Sequence, residues 1–430
     1  MEVLGDIKNV NIRKFAFIII AGCSLEMYDF VAYSFFAVGI AQLFFPEKIF
    51  FDSLLLSYAT FAIGYFTRPI GSILFGYLSD TKGRKVGLIY SVLCMGVPIS
   101  IIGLLPTYQT IGILAPILLL ICRTAQGLSL GGEVPSAITF FSEYSSHRNR
   151  AFVTSWIFYG LNLGIILASL VGTLIVTIFS HATVMAGAWR ILFLLGGLIS
   201  WIVYYMRKNL YETPQFMQLK QRHLLNIQPL FQLFKTRKID IIKGFFLLSI
   251  IMAASGTLFL FMPIYLFTYL KINTSLAFAF NTINILVLTM FIPIAATLAD
   301  KFGRKPIFIL GILFLIINTY PLFLLLNNTN PLLILWALIA LGIPAAFVFG
   351  PIAAMLAELF STNIRTTAIG VIYNINCAIF LGLNPLTLIF LIKYTNNLQS
   401  PALYLIVSGL ISLIAVLTLK ESRGQSLSSL

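Results

Sequence analysis

Charge is what this chain of 430 residues has least of: 10% of its side chains are Asp, Glu, Lys or Arg, against 59% hydrophobic. So few polar groups do not cover a globular surface, and a soluble protein is excluded. The three histidines, His147, His181 and His223, fall between apolar segments without a ligand-spaced companion, so they offer no metal centre and no nucleophile–base pair. Cys23, Cys94, Cys122 and Cys377 all lie inside apolar segments, which leaves neither a disulfide framework nor a Cys-x-x-Cys site. No Gly-x-x-x-x-Gly-Lys-Ser/Thr occurs, so ATP-driven chemistry has no support. The expectation is a protein that is no enzyme and needs no cofactor or metal.

What the chain does have is long apolar runs, at about 15–45, 54–79, 86–105, 110–141, 151–179, 187–206, 241–270, 276–299, 306–326, 331–357, 366–392 and 401–419. At roughly 20 residues per membrane crossing, these predict an all-α integral membrane protein of twelve spans. The first run is far longer than the apolar core of a secretory leader, and reads as a retained span. Residues 207–240 form the one long polar stretch, so the domains expected are a six-helix bundle over 1–206, a cytoplasmic linker over 207–240 and a second six-helix bundle over 241–430.

The net charge of +14 invites a nucleic-acid partner, but its distribution removes the need for one. Of the 28 Lys and Arg, 22 fall at the N-terminus, the C-terminus and the loops on the same side, the central linker included. Lys48, Arg190, Lys271 and Lys393 fall on the other side, and Arg68 and Arg123 inside spans. The positive-inside rule puts both termini and the linker in the cytoplasm, so the partner implied is the lipid bilayer.

Two repeats organise the chain. Asp80, Gly83, Arg84 and Lys85 follow the second span, and Asp300, Gly303, Arg304 and Lys305 follow the eighth, each displaced by 220 positions. Glu143 and Arg150 bracket one turn and Glu358 and Arg365 another, displaced by 215. Duplicated six-helix halves follow, with a cavity expected between them near the bilayer midplane. Ionic contacts at these loops suit a gate made in one state and broken in another, and the alternative is simply a pair of well-capped turns.

Glu26, Asp29, Arg68, Arg123 and Glu133 sit within apolar spans, where a charge costs a few kcal/mol unless it meets a partner or water. Glu26 and Asp29 share one helix face with Tyr33. Arg68 lies about 18 Å from the cytoplasmic end of its helix, close to mid-membrane. Arg123, Gln126 and Glu133 form a stripe along which an arginine and a glutamate could pair within the bundle. Arginines fork onto carboxylates, and a carboxylate removed from water takes up protons more readily, so the set points to proton-coupled uptake of a small carboxylate-bearing solute. A purely structural network of mutual neutralisation is the competing reading. The second half has no comparable charge; its candidates for the solute are Tyr265 after Met262-Pro263, Asn281 and Asn284, and Tyr373, Asn374 and Asn376. Such amides also serve as interhelical glue.

The twelve-span duplication with Gly-x-x-x-Asp-x-x-Gly-Arg-Lys after the second span, and Asp-x-x-Gly-Arg-Lys again after the eighth, resembles the major facilitator superfamily over about the whole chain. Gly22 to Phe30, Arg68-Pro69-Ile-Gly71, Arg123 through Glu133, and Glu212-Thr213-Pro214-x-Phe216 resemble the metabolite:proton symporter family within it. Cys23 and Met27 depart from the asparagine and tryptophan of that pattern. The resemblance implies a symporter of the bacterial inner membrane, powered by the proton gradient, for a zwitterionic osmolyte such as proline or glycine betaine. An α-ketoglutarate or citrate symporter is the alternative, and a non-transporting sensor on the same scaffold a third reading. The chain runs about ten residues past its last span, so tail-borne osmotic activation is not expected. Proton coupling is expected of Glu26, Asp29 and Glu133, solute binding of Tyr33, Arg68, Arg123, Gln126, Tyr265, Tyr373 and Asn374, and gating of the two loop repeats, with a monomer sufficient.

Overall fold

The computed structural model describes residues 12–45, 50–223 and 228–427; Lys8 and Lys48 of the charge pattern lie outside them. Among the described residues there is no strand. The principal helices among the described residues are α1 (Ile12–Phe35), α2 (Phe50–Thr81), α3 (Arg84–Leu104), α4 (Leu114–Tyr144), α5 (Arg150–Ile178), α6 (Arg190–Lys208), α7 (Lys238–Ser255), α8 (Thr274–Phe302), α9 (Arg304–Leu326), α10 (Pro331–Leu359), α11 (Arg365–Asn376) and α12 (Ser400–Leu417). Among the described residues eleven segments are long and apolar enough to cross a membrane, and the 32-residue α2 lies where the second span is expected. Exposed Phe66, Ile317 and Leu386 present the kind of surface that lipid covers.

The described residues group into two units, one comprising the chain up to Phe140 with Gly160–Pro229, the other Phe141–Tyr159 with Leu230 onward. In the first unit, α2 and α4 meet backbone to backbone. A Cβ on Gly71 would overlap the main chain of Leu128, and one on Gly131 would overlap that of Arg68 and Ser72, so only glycine allows this approach. The first apolar run is not one continuous helix: it breaks at Phe36 before a short helix, Ala37–Phe44. Phe36 stacks on the fully buried Trp189 at 5.8 Å, and Phe44 and Phe193 meet the same indole edge-on, so tertiary packing overrides helical continuity there. Ser24 Oγ donates to the Gly160 carbonyl at 2.9 Å, tying α1 to α5.

The second unit packs on small residues, with Ala295, Ala296 and Ala299 of α8 and Ala353 and Ala354 of α10 all fully buried. Around Pro263, α7 passes into π-helical turns over Gly256–Phe261 and Tyr265–Tyr269, and α11 does so over Cys377–Gly382. Proline removes a backbone donor, and wider turns re-satisfy the carbonyls it frees. The polar stretch after α6 forms two short helices, Pro214–Gln221 and Pro229–Thr236. The first is capped by Thr213, whose side chain accepts from the Phe216 N–H. Arg207 does not belong to this stretch: it is the penultimate residue of α6 and fully buried.

Candidate functional site

The five intraspan charges, joined by Arg207, form three carboxylate–guanidinium pairs inside the first unit. Arg123 Nη1 donates to Asp29 Oδ2 at 2.6 Å and to Gln126 Oε1 at 2.6 Å, and Gln126 Nε2 donates to Asp29 Oδ1 at 2.9 Å. The triad is closed, with Asp29 fully buried. The guanidinium lies 3.8 Å from the centroid of the Tyr33 ring, a cation–π contact, while the Tyr33 hydroxyl donates to the Ser57 carbonyl. Arg123 Nε and Nη2 are buried with no hydrogen-bond partner in the protein. Buried donors normally find acceptors, so these two mark where an oxyanion or water belongs. Arg68, Tyr65, Asp29, Arg123 and Gln126 line one small cavity beside them, with room for about one water molecule.

The second pair is looser: Arg68 Nη2 stands 3.4 Å from Glu26 Oε1, and Glu26 Oε2 has no hydrogen-bond partner. The third pair corrects an expectation. Glu133 does not pair with Arg123, because ten residues of α4 separate them by about 15 Å. Its partner is Arg207, which forks onto it at 2.5 and 2.9 Å, and Ser91 Oγ adds a third bond at 2.6 Å. Residue 207 lies just beyond the apolar run, which conceals it from a hydropathy window. The helical period is the usable signal, since Gly196, Ser200, Val203 and Arg207 make up one buried face.

The solute candidates of the second unit are internal to it. Tyr265 is buried and its hydroxyl donates to the Leu398 carbonyl; Asn374 donates to the Gly370 carbonyl one turn back; Tyr373 is 3% exposed. Asn284 is fully buried with neither amide atom hydrogen-bonded.

The loop repeats form two networks. In the first unit Asp80 pairs with Arg84 at 2.5 Å, both fully buried. Glu212 accepts from the backbone N–H groups of Arg84 and Lys85, at 3.1 and 3.2 Å, and so caps α3. The second unit repeats the device with Glu421, which accepts from the N–H groups of Arg304 and Lys305 at 3.2 and 2.9 Å. Gly83 and Gly303, at φ 134° and 115°, supply the conformation each junction needs, and a Cβ on either would meet the capping carboxylate. Asp300 accepts from the N–H groups of Ala151 and Phe152 at the start of α5 and pairs with Arg304 at 3.1 Å. The Glu/Arg brackets exchange partners: Arg150 pairs with Glu358, and Arg365 with Glu143 at 2.7 Å. Ser422 also donates to Glu358, and Arg150 reaches the Gln425 carbonyl, so the tail joins the network. Glu421, Ser422 and Gln425 had no sequence signal beyond lying after the last span.

The Major Facilitator Superfamily model matches residues 30–385 of the chain. The proline/betaine transporter of Escherichia coli K12 is 33% identical over 416 residues, covering 94% of this chain and 83% of that protein. The citrate-proton symporter of Salmonella typhi is 30% identical over 416 residues, covering 94% and 93%. Among solved structures, the proton:xylose symporter XylE bound to 6-bromo-6-deoxy-D-glucose matches with a TM-score of 0.79 at 18% identity, over 97% of this chain and 98% of that one, a likeness of fold.

Proposed function

Because this chain belongs to the Major Facilitator Superfamily, we propose that it is a proton-coupled symporter that imports a small carboxylate-bearing metabolite across the bacterial inner membrane. The leading substrate class is a zwitterionic osmolyte such as proline or glycine betaine. The observation that carries this reading is the pair of unpartnered N–H donors on Arg123, held beside the Asp29 carboxylate. A solute carboxylate satisfies those donors and competes with Asp29 for the same guanidinium. Protonating Asp29 frees Arg123 for the solute, and solute binding in turn favours the protonated acid, which is thermodynamic coupling. Relatives named as proline/betaine transporters support the substrate class.

In this reading Asp29 and Glu26 carry the coupling proton, and Arg123, Gln126, Arg68 and Tyr33 form the solute-facing wall. Tyr265, Tyr373 and Asn374 contribute from the second half. Asp80, Arg84, Asp300, Arg304 and the two Glu/Arg brackets gate the cytoplasmic side. The proton gradient is the energy source, no cofactor takes part, and a monomer suffices. A second reading, a citrate-type symporter, is favoured by the citrate-proton relatives and by the second guanidinium, Arg68, on the same cavity. Uptake of radiolabelled proline into proteoliposomes, with unlabelled betaine, α-ketoglutarate and citrate as competitors, tests the assignment. Inhibition by betaine supports the osmolyte class, and inhibition by the di- and tricarboxylates alone overturns it.

A further inference from the structure

The inner pair, Glu133 and Arg207, stands apart from the solute-facing wall. Arg207 is fully buried, forks onto Glu133 and gives a third bond to the Leu88 carbonyl at 3.1 Å. Its guanidinium occupies the space a Cβ on Gly22 would need, so α1 is bare where the arginine crosses it. Between Glu133 and Glu26 lies a second cavity, separate from the one beside Arg123. Ser129, Leu25 and Met95 help to line it, and it has room for about one water molecule. Glu26 offers it an oxygen, Oε2, that nothing in the protein bonds. The three pairs thus descend through one unit, with Glu133 about 15 Å beyond Arg123 toward the Tyr144 end of α4.

We propose that the coupling proton leaves through this bundle, passing from Glu26 by way of a water in the second cavity to Glu133, with Arg207 as the positioning residue that holds Glu133 at the inner end. The proposal rests on the symport reading above. The transfer balances: protonated Glu26 gives its proton to the water oxygen as that water gives another to a Glu133 carboxylate oxygen. Glu26 ends as the anion, Glu133 as the neutral acid and the water unchanged. Neutral Glu133 no longer holds the Arg207 fork, and it re-ionises by releasing its proton to water on the inner side. The groups that face Glu133 are Arg207 from α6, Ser91 from α3, and Cys23 and Glu26 from α1. Removing the Arg207 charge therefore acts on the proton step rather than on the solute.

The test uses the full chain in proteoliposomes, with radiolabelled proline and glycine betaine as probes. Wild type, Arg207→Lys, Arg207→Gln and the cavity-filling Ser129→Val are compared for accumulation driven by a pH gradient, for solute counterflow at equal pH, and for the pH profile of uptake. The expected result is an at least tenfold fall in the ratio of driven accumulation to counterflow for Arg207→Gln. Arg207→Lys should restore part of that ratio while moving the pH profile, and Ser129→Val should lower the ratio with both ion pairs intact. If Arg207→Lys and Ser129→Val keep the wild-type ratio and profile, or if accumulation and counterflow fall in equal proportion in every variant, the intrabundle path is wrong. A wild type that shows counterflow but no response to a pH gradient overturns the symport reading itself, and this proposal with it.

Discussion

Glu143 and Arg365 lie 222 positions apart in the chain, yet Arg365 Nη1 donates to Glu143 Oε1 at 2.7 Å, with both side chains fully buried. Arg150 and Glu358 repeat the relationship with the roles reversed. Each bracket is thus completed by the other, and the seven-residue spacing seen twice in the sequence is the trace of a reciprocal exchange. A buried charge whose partner is removed is left uncompensated, so these contacts are all-or-none in a way that surface pairs are not.

Replacing one member should therefore be severe. Glu143→Gln is expected to destabilise the protein by about 3 kcal/mol, seen as a fall of several degrees in the thermal midpoint of the detergent-solubilised protein. Arg365→Glu should be worse, because it sets two anions together. The exchange Glu143→Arg with Arg365→Glu should recover part of the loss; no recovery would mean that the pair contributes through its surroundings and not through mutual attraction.

Asp29→Asn should abolish the response of uptake to a pH gradient by at least tenfold, since the amide keeps the shape of the carboxylate but exchanges no proton; a tenfold change corresponds to about 1.4 kcal/mol. Glu26→Gln should do the same to a lesser degree. Proteoliposomes of the double variant that still accumulated solute like wild type under a pH gradient would falsify the coupling assignment.

The Tyr33 ring and hydroxyl do different work. The ring lies under the Arg123 guanidinium at 3.8 Å, whereas the hydroxyl bonds the Ser57 carbonyl. Tyr33→Phe keeps the ring and should leave uptake within about twofold, while Tyr33→Leu removes a cation–π contact of roughly 1–2 kcal/mol and should slow uptake about tenfold. Initial-rate measurements with both variants decide it, and equal losses would locate the contribution in the hydroxyl.

Gly83→Ala and Gly303→Ala should each destabilise by about 1–3 kcal/mol, because both impose a positive φ on a residue with a Cβ. Part of that loss is a clash with the Glu212 or Glu421 carboxylate. Combining Gly83→Ala with Glu212→Ala should therefore give less than the sum of the single effects in thermal-shift measurements. Strict additivity would show that the carboxylate and the turn act independently.

The duplication, the helical spans and the intraspan charges were legible because each leaves a local mark: a repeated spacing, a run of apolar residues, a charge where none should be. Partner choice was not. Arg123 and Glu133 share a stripe on α4, and only the arrival of α1 and α6 shows that Arg123 belongs to Asp29 and Glu133 to Arg207. Arg207 itself looked like one of many basic residues at a membrane edge. Glu421 was equally hidden, since nothing local tells a carboxylate that caps a distant helix from one dissolved in water. The break at Phe36 escaped for a related reason: its cause, Trp189, lies more than a hundred residues away.

The backbone contact between α2 and α4 has a mechanical consequence. With no side chains between them at Gly71 and Gly131, the two helices touch main chain to main chain, so the distance between them at this crossing is set by backbone and not by rotamers. Arg68 rides on one member, Arg123 on the other. The backbone positions from which the two guanidinium groups reach the cavity are thereby gauged by the crossing itself, and a Cβ at either glycine would spread them apart.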